Sequence, residues 1–276
     1  MKISFLIILT VSAVLSFNAL ADVPSCGENC TYEMSANGTD LNGETTYKLV
    51  VKPIDDTLPA YMQKYSRYGY PQTGTNYAPW RFDNVTEVVV ESGIENISYG
   101  AFTSQAIKTV TLPEGLKTLG PLALYDTKIT EIKLPDTLTT IGEWGLMCPL
   151  LEKLEIPSSV RSIERYALSG IQLSDLVIPP SVNTISPEAF GTSTKLNKLY
   201  CEEAIASQCA AAINNTKKDV ELKTYQKYGD AYYSDGKFYA SPKDIGLDNH
   251  IKKRIYTVDE ANKISGKKNS LKIRYK

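Results

Sequence analysis

The feature that most constrains this fold is a repeat of about 22 residues that runs through the middle of the chain. Apolar residues recur at one position of the repeat with successive spacings of 22, 22, 22, 22 and 23, and these residues are Val85, Ile107, Ile129, Leu151, Leu173 and Leu196. Matching apolar columns follow three, five, nine and twelve residues later. Because one short unit cannot bury such residues alone, we expect neighbouring units to stack around a shared core.

Each repeat has the pattern of a short strand followed by a return. In the third repeat, Ile132 and Leu134 alternate with charged residues, and Pro135 follows directly. Alternation places one face of the strand inward, and the proline ends the strand because it cannot donate to the ladder. The repeat therefore predicts a curved solenoid of five full turns plus a sixth strand, with short parallel strands on one side and irregular or short helical returns on the other.

Two segments carry a resemblance to a known family: Ile132-Lys133-Leu134-Pro135 through Ile141-Gly142, and Leu176-Val177-Ile178-Pro179 through Ala189-Phe190. They closely resemble the BspA-like class of leucine-rich repeats, and the resemblance covers roughly Val85 to Cys201. It implies a leucine-rich-repeat fold in an exported or surface-exposed bacterial protein that takes part in adhesion and protein binding. It implies no catalytic residues.

The start of the chain predicts export. Lys2 is followed by an apolar or small stretch from Phe5 to Phe17 and by Asn18-Ala19-Leu20-Ala21, which has the A-x-A form of a cleavage site. We interpret residues 1–21 as a signal peptide; a lipoprotein site at Val23-Pro24-Ser25-Cys26 is the alternative. No later segment reaches the length of a membrane helix, which is about 20 apolar residues. We expect a periplasmic, cell-surface or secreted protein.

Four further segments follow the signal peptide. Residues 22–84 are predicted to form an N-terminal cap, and residues 85–201 the repeats. Residues 202–220 contain apolar residues at helical spacing and predict a capping helix. Residues 221–276 predict a small α+β module, of βαβ-like form, with a hairpin around Asp235-Gly236, a helix beginning near Thr257, and a strand over 271–276 whose apolar and basic residues alternate.

Charge is distributed unevenly along the chain. Residues 22–251 contain 20 basic and 29 acidic residues, whereas residues 252–276 contain nine basic residues and only Asp259 and Glu260 as acids. The basic face of this last segment suggests contact with an anionic surface, complementarity with the acidic body, or a solvated edge.

The five cysteines predict disulfides, because an exported chain meets an oxidising compartment. The simplest connectivity pairs Cys26 with Cys30 and Cys201 with Cys209. Cys148 is then unpaired, and we interpret it as a buried thiol rather than a nucleophile, since a nucleophilic cysteine needs a nearby base.

The outward positions of the strands are the candidate binding site. The residues that we expect to contact a partner are Glu87, Val89, Thr111, Glu131, Lys133, Lys153, Glu155, Val177 and Tyr200. Opposite charges on neighbouring strands also fit a self-satisfied charge ladder that contributes only to solubility and register. Tyr61, Tyr65, Tyr68, Tyr70, Tyr77 and Trp80 form a second aromatic cluster, which either packs the cap onto the first repeat or binds a glycan or protein.

Residues with catalytic or metal-binding chemistry are sparse. His250 is the only histidine, and the sequence contains no CxxC pair set, no phosphate-binding glycine loop and no H-E-x-x-H motif. We therefore predict a monomeric, non-enzymatic protein without cofactor or metal, whose partner is a protein of the host or of the bacterium rather than a nucleic acid. A carbohydrate or cell-envelope binder that uses the tyrosine-rich cap or the basic segment is the alternative.

Overall fold

A computed structural model describes residues 24–65, 78–81, 83–104, 106–214, 216, 219–228, 231–234, 237–239 and 241–245. Over these residues the chain winds into a solenoid, and its turns carry two columns of parallel strands around one apolar core. The predicted signal peptide, Tyr68, Tyr70, Tyr77, the Asp235-Gly236 turn, and the predicted helix and strand within 252–276 lie outside the described residues.

The first column contains the strands predicted from the repeat. They are β5 (Val85–Val90), β7 (Thr109–Thr111), β9 (Glu131–Ile132), β11 (Lys153–Leu154), β13 (Asp175–Val177) and β15 (Lys198–Glu202). Within the described residues, the pairing is interrupted twice, since no strand ladder joins β7 to β9 or β11 to β13. Hydrogen bonds just before the strands still connect the turns, as between Gln172 N–H and the Leu151 carbonyl at 2.8 Å.

The second column lies in the returns. It contains β6 (Ile94–Ile97), β8 (Thr118–Leu119), β10 (Thr140–Ile141), β12 (Ser162–Ile163) and β14 (Thr184–Ile185). These strands pair in parallel without interruption, and each ends at the apolar position that lies twelve residues after the start of its repeat. The solenoid is confirmed, but its returns contain a second strand ladder, and residues 85–104 and 106–201 contain no helix. Strands of two residues are too short to produce an alternating pattern, so the sequence did not predict them.

A left-handed residue recurs in each return. Gly100 has φ of +66°, and the residues that follow it at intervals of 22, namely Leu122, Trp144, Tyr166 and Glu188, have φ of +57°, +56°, +55° and +62°. Left-handed backbone costs a non-glycine residue about 1–2 kcal/mol. The turn is held because the N–H of Leu122 bonds to the next repeat, at 2.8 Å from the Glu143 carbonyl, and because Ala123 and Leu124 behind it are fully buried.

Aromatic side chains form a ladder along this turn. Trp144 stacks on Tyr166 with ring centroids 4.2 Å apart, and Tyr125 packs edge-on against Trp144 at 6.0 Å. The Arg165 guanidinium lies 4.7 Å from the centroid of the Tyr166 ring and pairs with Glu188. Because the ring faces contact one another and Arg165, this ladder stabilises the stacking of the repeats.

The N-terminal cap extends both columns. It contains β1 (Ser25–Glu28), β2 (Cys30–Thr39), β3 (Thr45–Pro53) and β4 (Ala60–Met62). Strand β3 pairs in parallel with β5, and β4 pairs in parallel with β6. Strand β2 lies antiparallel on the outer side of β3, and the Cys26–Cys30 disulfide ties β1 to β2. The cap thereby covers the open end of the apolar core.

The other end of the core is closed by a helix and three strands. After β15, one 3₁₀ turn (Glu203–Ile205) leads into α1 (Ala206–Ala212), which the Cys201–Cys209 disulfide ties to β15. The helix packs against β14, where the Gln208 side chain accepts from the Ile185 N–H at 2.8 Å. Strand β16 (Glu221–Tyr228) then pairs in parallel with β15, so the first column continues past residue 221.

The hairpin strands follow β16. Strand β17 (Ala231–Ser234) pairs antiparallel with β16 and with β18 (Lys237–Tyr239), and a 3₁₀ turn (Pro242–Asp244) follows. This arrangement carries the chain back toward the first column, where Ile245 is buried with Tyr200, Tyr225 and Tyr239.

Candidate binding face

The strand register brings the predicted partner-contacting residues into two rows on the first column. Glu87 is opposite Thr109, Glu131 is opposite Lys153, and Asp175 is opposite Lys198. In the second row, Val89 is opposite Thr111. We call the outward-facing residues of β5 to β13 the strand face.

The predicted residues differ in exposure. Thr111, Glu131, Lys133, Lys153 and Glu155 are exposed, whereas Glu87 and Val89 are half-buried. The middle of the strand face, from β7 to β11, is therefore the part that a second molecule can reach most easily.

Tyr200 does not lie on an exposed surface, and this part of the prediction is wrong. Its side chain is only 4% exposed, because the aromatic cluster formed with Tyr225, Tyr239 and Ile245 covers it. Val177 is half-buried against the same cluster. The alternation along β15 correctly predicts that Tyr200 points away from the repeat core, but a segment more than twenty residues later covers that side.

The described ion pairs of the strand face range from half-buried to largely exposed. Lys153 Nζ lies 3.0 Å from Glu131 Oε2, and the two side chains are 79% and 65% exposed. Glu87 pairs at 2.8 Å with Lys48 of the cap, a partner that the repeat pattern did not suggest. Exposed pairs contribute about 0–1 kcal/mol, so these charges are available to a partner at little cost to the fold.

A first groove crosses the interruption between β7 and β9. It has a volume of about 700 Å³. Its charged lining residues are Lys108, Lys133 and Lys153 on the basic side and Glu131 and Glu155 on the acidic side. Val110 and Leu154 are half-buried in its floor. Both signs of charge are present here, with one more lysine than carboxylate among the described lining residues.

A second groove crosses the interruption between β11 and β13, and the turn at Pro242–Asp244 forms one of its walls. Its volume is about 730 Å³. The charged residues that line it, among the described side chains, are acidic: Asp136, Glu152, Glu155, Asp175 and Asp244. Of these, only Glu155 belongs to the site predicted from sequence. The repeat pattern could not predict that Asp244 lines this groove, because Asp244 comes from a segment about 70 residues after β13 in the chain.

Tyr65 and Trp80 of the tyrosine-rich segment pack the cap onto the first repeat, whereas Tyr61 is 37% exposed and donates its hydroxyl to Glu95 Oε2 at 3.1 Å. Trp80 is 3% exposed, donates from Nε1 to the Ala101 carbonyl at 2.8 Å, and contacts Tyr65, Tyr32 and Phe102 at ring-centroid distances of 5.4, 5.0 and 5.9 Å. Tyr65 is 1% exposed and donates its hydroxyl to the Cys26 carbonyl at 3.1 Å. These two aromatic side chains are part of the core rather than a glycan platform.

The cysteines have the predicted pairing, Cys26 with Cys30 and Cys201 with Cys209. Cys148 is a free cysteine and is fully buried, where its sulfur accepts from the Thr127 hydroxyl at 3.2 Å. Burial raises the pKa of the Cys148 thiol to about 12. Because the thiolate is the nucleophilic form, this environment suppresses its reactivity.

Residues 76–197 match the family described as "BspA type Leucine rich repeat region", in six copies. A search of curated proteins gives no match. No helix in the described part of the chain has the length and apolar character needed to cross a membrane.

Several solved structures are similar. A leucine-rich repeat protein from Eubacterium ventriosum is 20% identical, with a TM-score of 0.44 over 68% of this chain and 44% of that chain. The pneumococcal vaccine antigen PcpA is 17% identical, with a TM-score of 0.42 over 77% and 55%. A leucine rich cell surface protein from Faecalibacterium prausnitzii is 20% identical, with a TM-score of 0.28 over 42% and 45%. The chain thus spans about half the length of these structures.

Proposed function

Residues 76–197 are a BspA-type leucine-rich-repeat region, and from this premise we propose that the protein is an exported, non-catalytic binding protein whose strand face contacts a protein partner. The observation that carries the proposal is the exposed middle of the first column. There, Thr111, Glu131, Lys133, Lys153 and Glu155 point to solvent beside two grooves.

The size of the strand face limits how a partner can bind. Its five strands at about 4.8 Å spacing extend over roughly 19 Å, and the four strands of two or three residues add about 10 Å in the other direction. A stable protein interface buries about 800 Å² on each partner. The strand face alone is smaller than this, so a partner must also contact the loops at its edges or insert a segment into a groove.

Export and location are part of the same proposal. Residues 1–21 have the features of a signal peptide, and two disulfides suit an oxidising compartment. We propose a periplasmic, cell-surface or secreted monomer whose partner is a host or bacterial protein.

The carbohydrate alternative loses support at the described aromatic residues, because Tyr65 and Trp80 are buried in the cap. It rests now on the exposed Tyr61, on the three tyrosines that lie outside the described residues, and on the basic segment. We therefore propose protein binding through the strand face as the function.

Site-specific photo-crosslinking tests the proposal. A photoreactive residue at Lys133, on the strand face, is expected to crosslink one protein in the cell-envelope fraction or in host extracellular proteins. The same residue at Lys117, which is exposed beside β8 on the return side, serves as the matched control. The adduct at position 133 should disappear when excess unmodified protein is added.

Two results would contradict the proposal. One is an equal yield at positions 117 and 133, which indicates non-specific contact. The other is a specific adduct from the cap or the return side alone, which assigns the strand face a purely structural role.

A further inference from the structure

The second groove combines three features: a missing ladder between two neighbouring strands, an apolar floor and an acidic rim. Strands β11 and β13 are not joined by a ladder, and the described chain contains no other strand between them. The groove that opens there is bounded on its far side by the turn at Pro242–Asp244. An extended peptide of few residues is the shape that fits such a gap between strands.

The floor of this groove is apolar and incompletely covered. Leu154 of β11 and Val177 of β13 are half-buried, although Leu176 beside them is only 3% exposed. Ile245 closes one end and is buried. When an apolar group covers such half-buried side chains, the complex is stabilised by about 25 cal/mol per Å² of apolar area removed from water.

The rim is acidic. Asp136, Glu152, Asp175 and Asp244 line the groove, and none of these four takes part in an ion pair within the described part of the chain. Lys198 is opposite Asp175 in the strand register. A basic occupant would therefore meet only carboxylates among the described charged side chains of this groove, whereas the first groove presents Lys108, Lys133 and Lys153 beside its two carboxylates.

The chain itself contains a segment with the matching chemistry. Residues 252–276 have nine basic and two acidic residues. At the end of this segment, Leu271, Ile273 and Tyr275 alternate with Lys272, Arg274 and Lys276. As an extended strand, residues 271–276 would present one apolar face and one basic face, which match the floor and the rim of the groove.

Residues 271–276 can reach the groove because Ile245, which precedes them in the chain, already lines it. The segment begins a few residues after Ile245, which already lines the groove. A chain spans at most about 3.3–3.6 Å per residue, so the 25 residues between Ile245 and Leu271 are long enough to reach across the groove. A segment tethered within reach of its site experiences an effective concentration in the millimolar range, so even weak docking is populated.

We propose that the second groove is a docking site for residues 271–276 of the same chain. The docked segment covers Leu154 and Val177 and brings its lysines and arginine to the acidic rim. It would also cover the strand face near Glu155. The part from β7 to β9 would then remain accessible to an external partner. The docking does not depend on the function proposed above, and its test needs no external partner.

Zero-length carbodiimide cross-linking of the full chain at sub-micromolar concentration tests the docking, since it joins a lysine amine only to a carboxylate in contact. Lys272 or Lys276 is expected to link to Glu152, Asp175 or Asp244 in the monomer, about tenfold more often than to exposed carboxylates such as Glu33. Links without preference among carboxylates would overturn the proposal. Links found only in dimers would also overturn it, because a second copy would then fill the groove.

Two matched variants separate apolar docking from charge attraction. Leu271→Ser, Ile273→Ser and Tyr275→Ser together keep every charge but remove the apolar contacts with the groove floor. The groove links should fall about tenfold or more, since a loss of about 1.4 kcal/mol in docking free energy is a factor of ten. Unchanged links would show attraction by charge alone and overturn the proposal. In the groove, Asp175→Asn with Asp244→Asn should reduce the remaining links to Glu152 severalfold, while Glu131→Gln in the first groove should leave them unchanged. Thermal midpoints measured alongside distinguish loss of docking from loss of folding.

Discussion

The two strand columns of this solenoid are built from the same repeat but differ in continuity. The return column, β6 to β14, pairs without interruption, and its apolar residues, such as Ile141 and Ile163, are fully buried. The first column is interrupted twice, and Val110 and Leu154 remain half-buried there. The return column therefore holds the stack together, which allows the first column to carry exposed charges and open grooves.

The sharpest test of this difference is the accessibility of a thiol on each side. Cys148 is buried in the turn that follows the returns, and its pKa is raised to about 12, so at pH 8 it is protonated as well as inaccessible. We expect a thiol reagent at pH 8 to label Cys148 at least about a thousandfold more slowly than a cysteine placed by Lys133→Cys on the strand face. Mass spectrometry of timed samples measures both rates.

Denaturation provides the control for this labelling, since Cys148 should react at the rate of a free thiol in concentrated urea. Equal rates in the native protein would mean that the returns open as readily as the strand face and would remove the distinction between the columns.

Truncation of one core residue in each column measures the difference in energy. Ile141→Ala removes a fully buried side chain from β10 and should destabilise the fold by about 2–5 kcal/mol. Leu154→Ala removes a half-buried side chain from β11 and should cost about 1–2 kcal/mol. Urea denaturation followed by circular dichroism gives both values.

Thr140→Ala, at a half-buried position beside Ile141, controls for changes in strand propensity. An equal or larger loss for Leu154→Ala would indicate that the first column, despite its interruptions, carries as much of the stability as the returns.

The smallest expected effect concerns the charges of the strand face. A double-mutant cycle with Glu131→Ala and Lys153→Ala should give a coupling free energy below about 0.5 kcal/mol, because both side chains are largely exposed. Denaturation at low salt measures this coupling. A value above about 1 kcal/mol would favour a stabilising charge ladder over a face that is available for binding.

Much of the fold follows from the repeat itself. The apolar position that starts at Val85 and recurs at Ile107 and beyond predicts the number of turns and the strands of the first column, because each turn must repeat the same buried pattern. The local disulfides were predictable from spacing, since neighbours four and eight residues apart meet readily. The second ladder was not, because two-residue strands such as Thr140–Ile141 have no periodicity of their own.

The candidate site was predictable only in its middle. Glu131, Lys133 and Lys153 are exposed as alternation requires, because no described residue packs over β9 and β11 at these positions. Asp136 and Asp244 line one groove although they are more than a hundred residues apart in the chain. The pattern of a single repeat therefore cannot predict that these two residues line the same groove.

The sequence by itself determined that this chain stacks 22-residue turns around one apolar core and which side of each strand points inward. Those properties depend on spacing and hydrophobicity, which are local. Only the tertiary structure decided which outward residues meet solvent and where the first column opens. Tyr200 is buried because Tyr225 and Ile245 return over it, and the second groove exists because β11 and β13 do not pair. Both depend on how distant segments pack, and that is a property of the assembled core rather than of any one repeat.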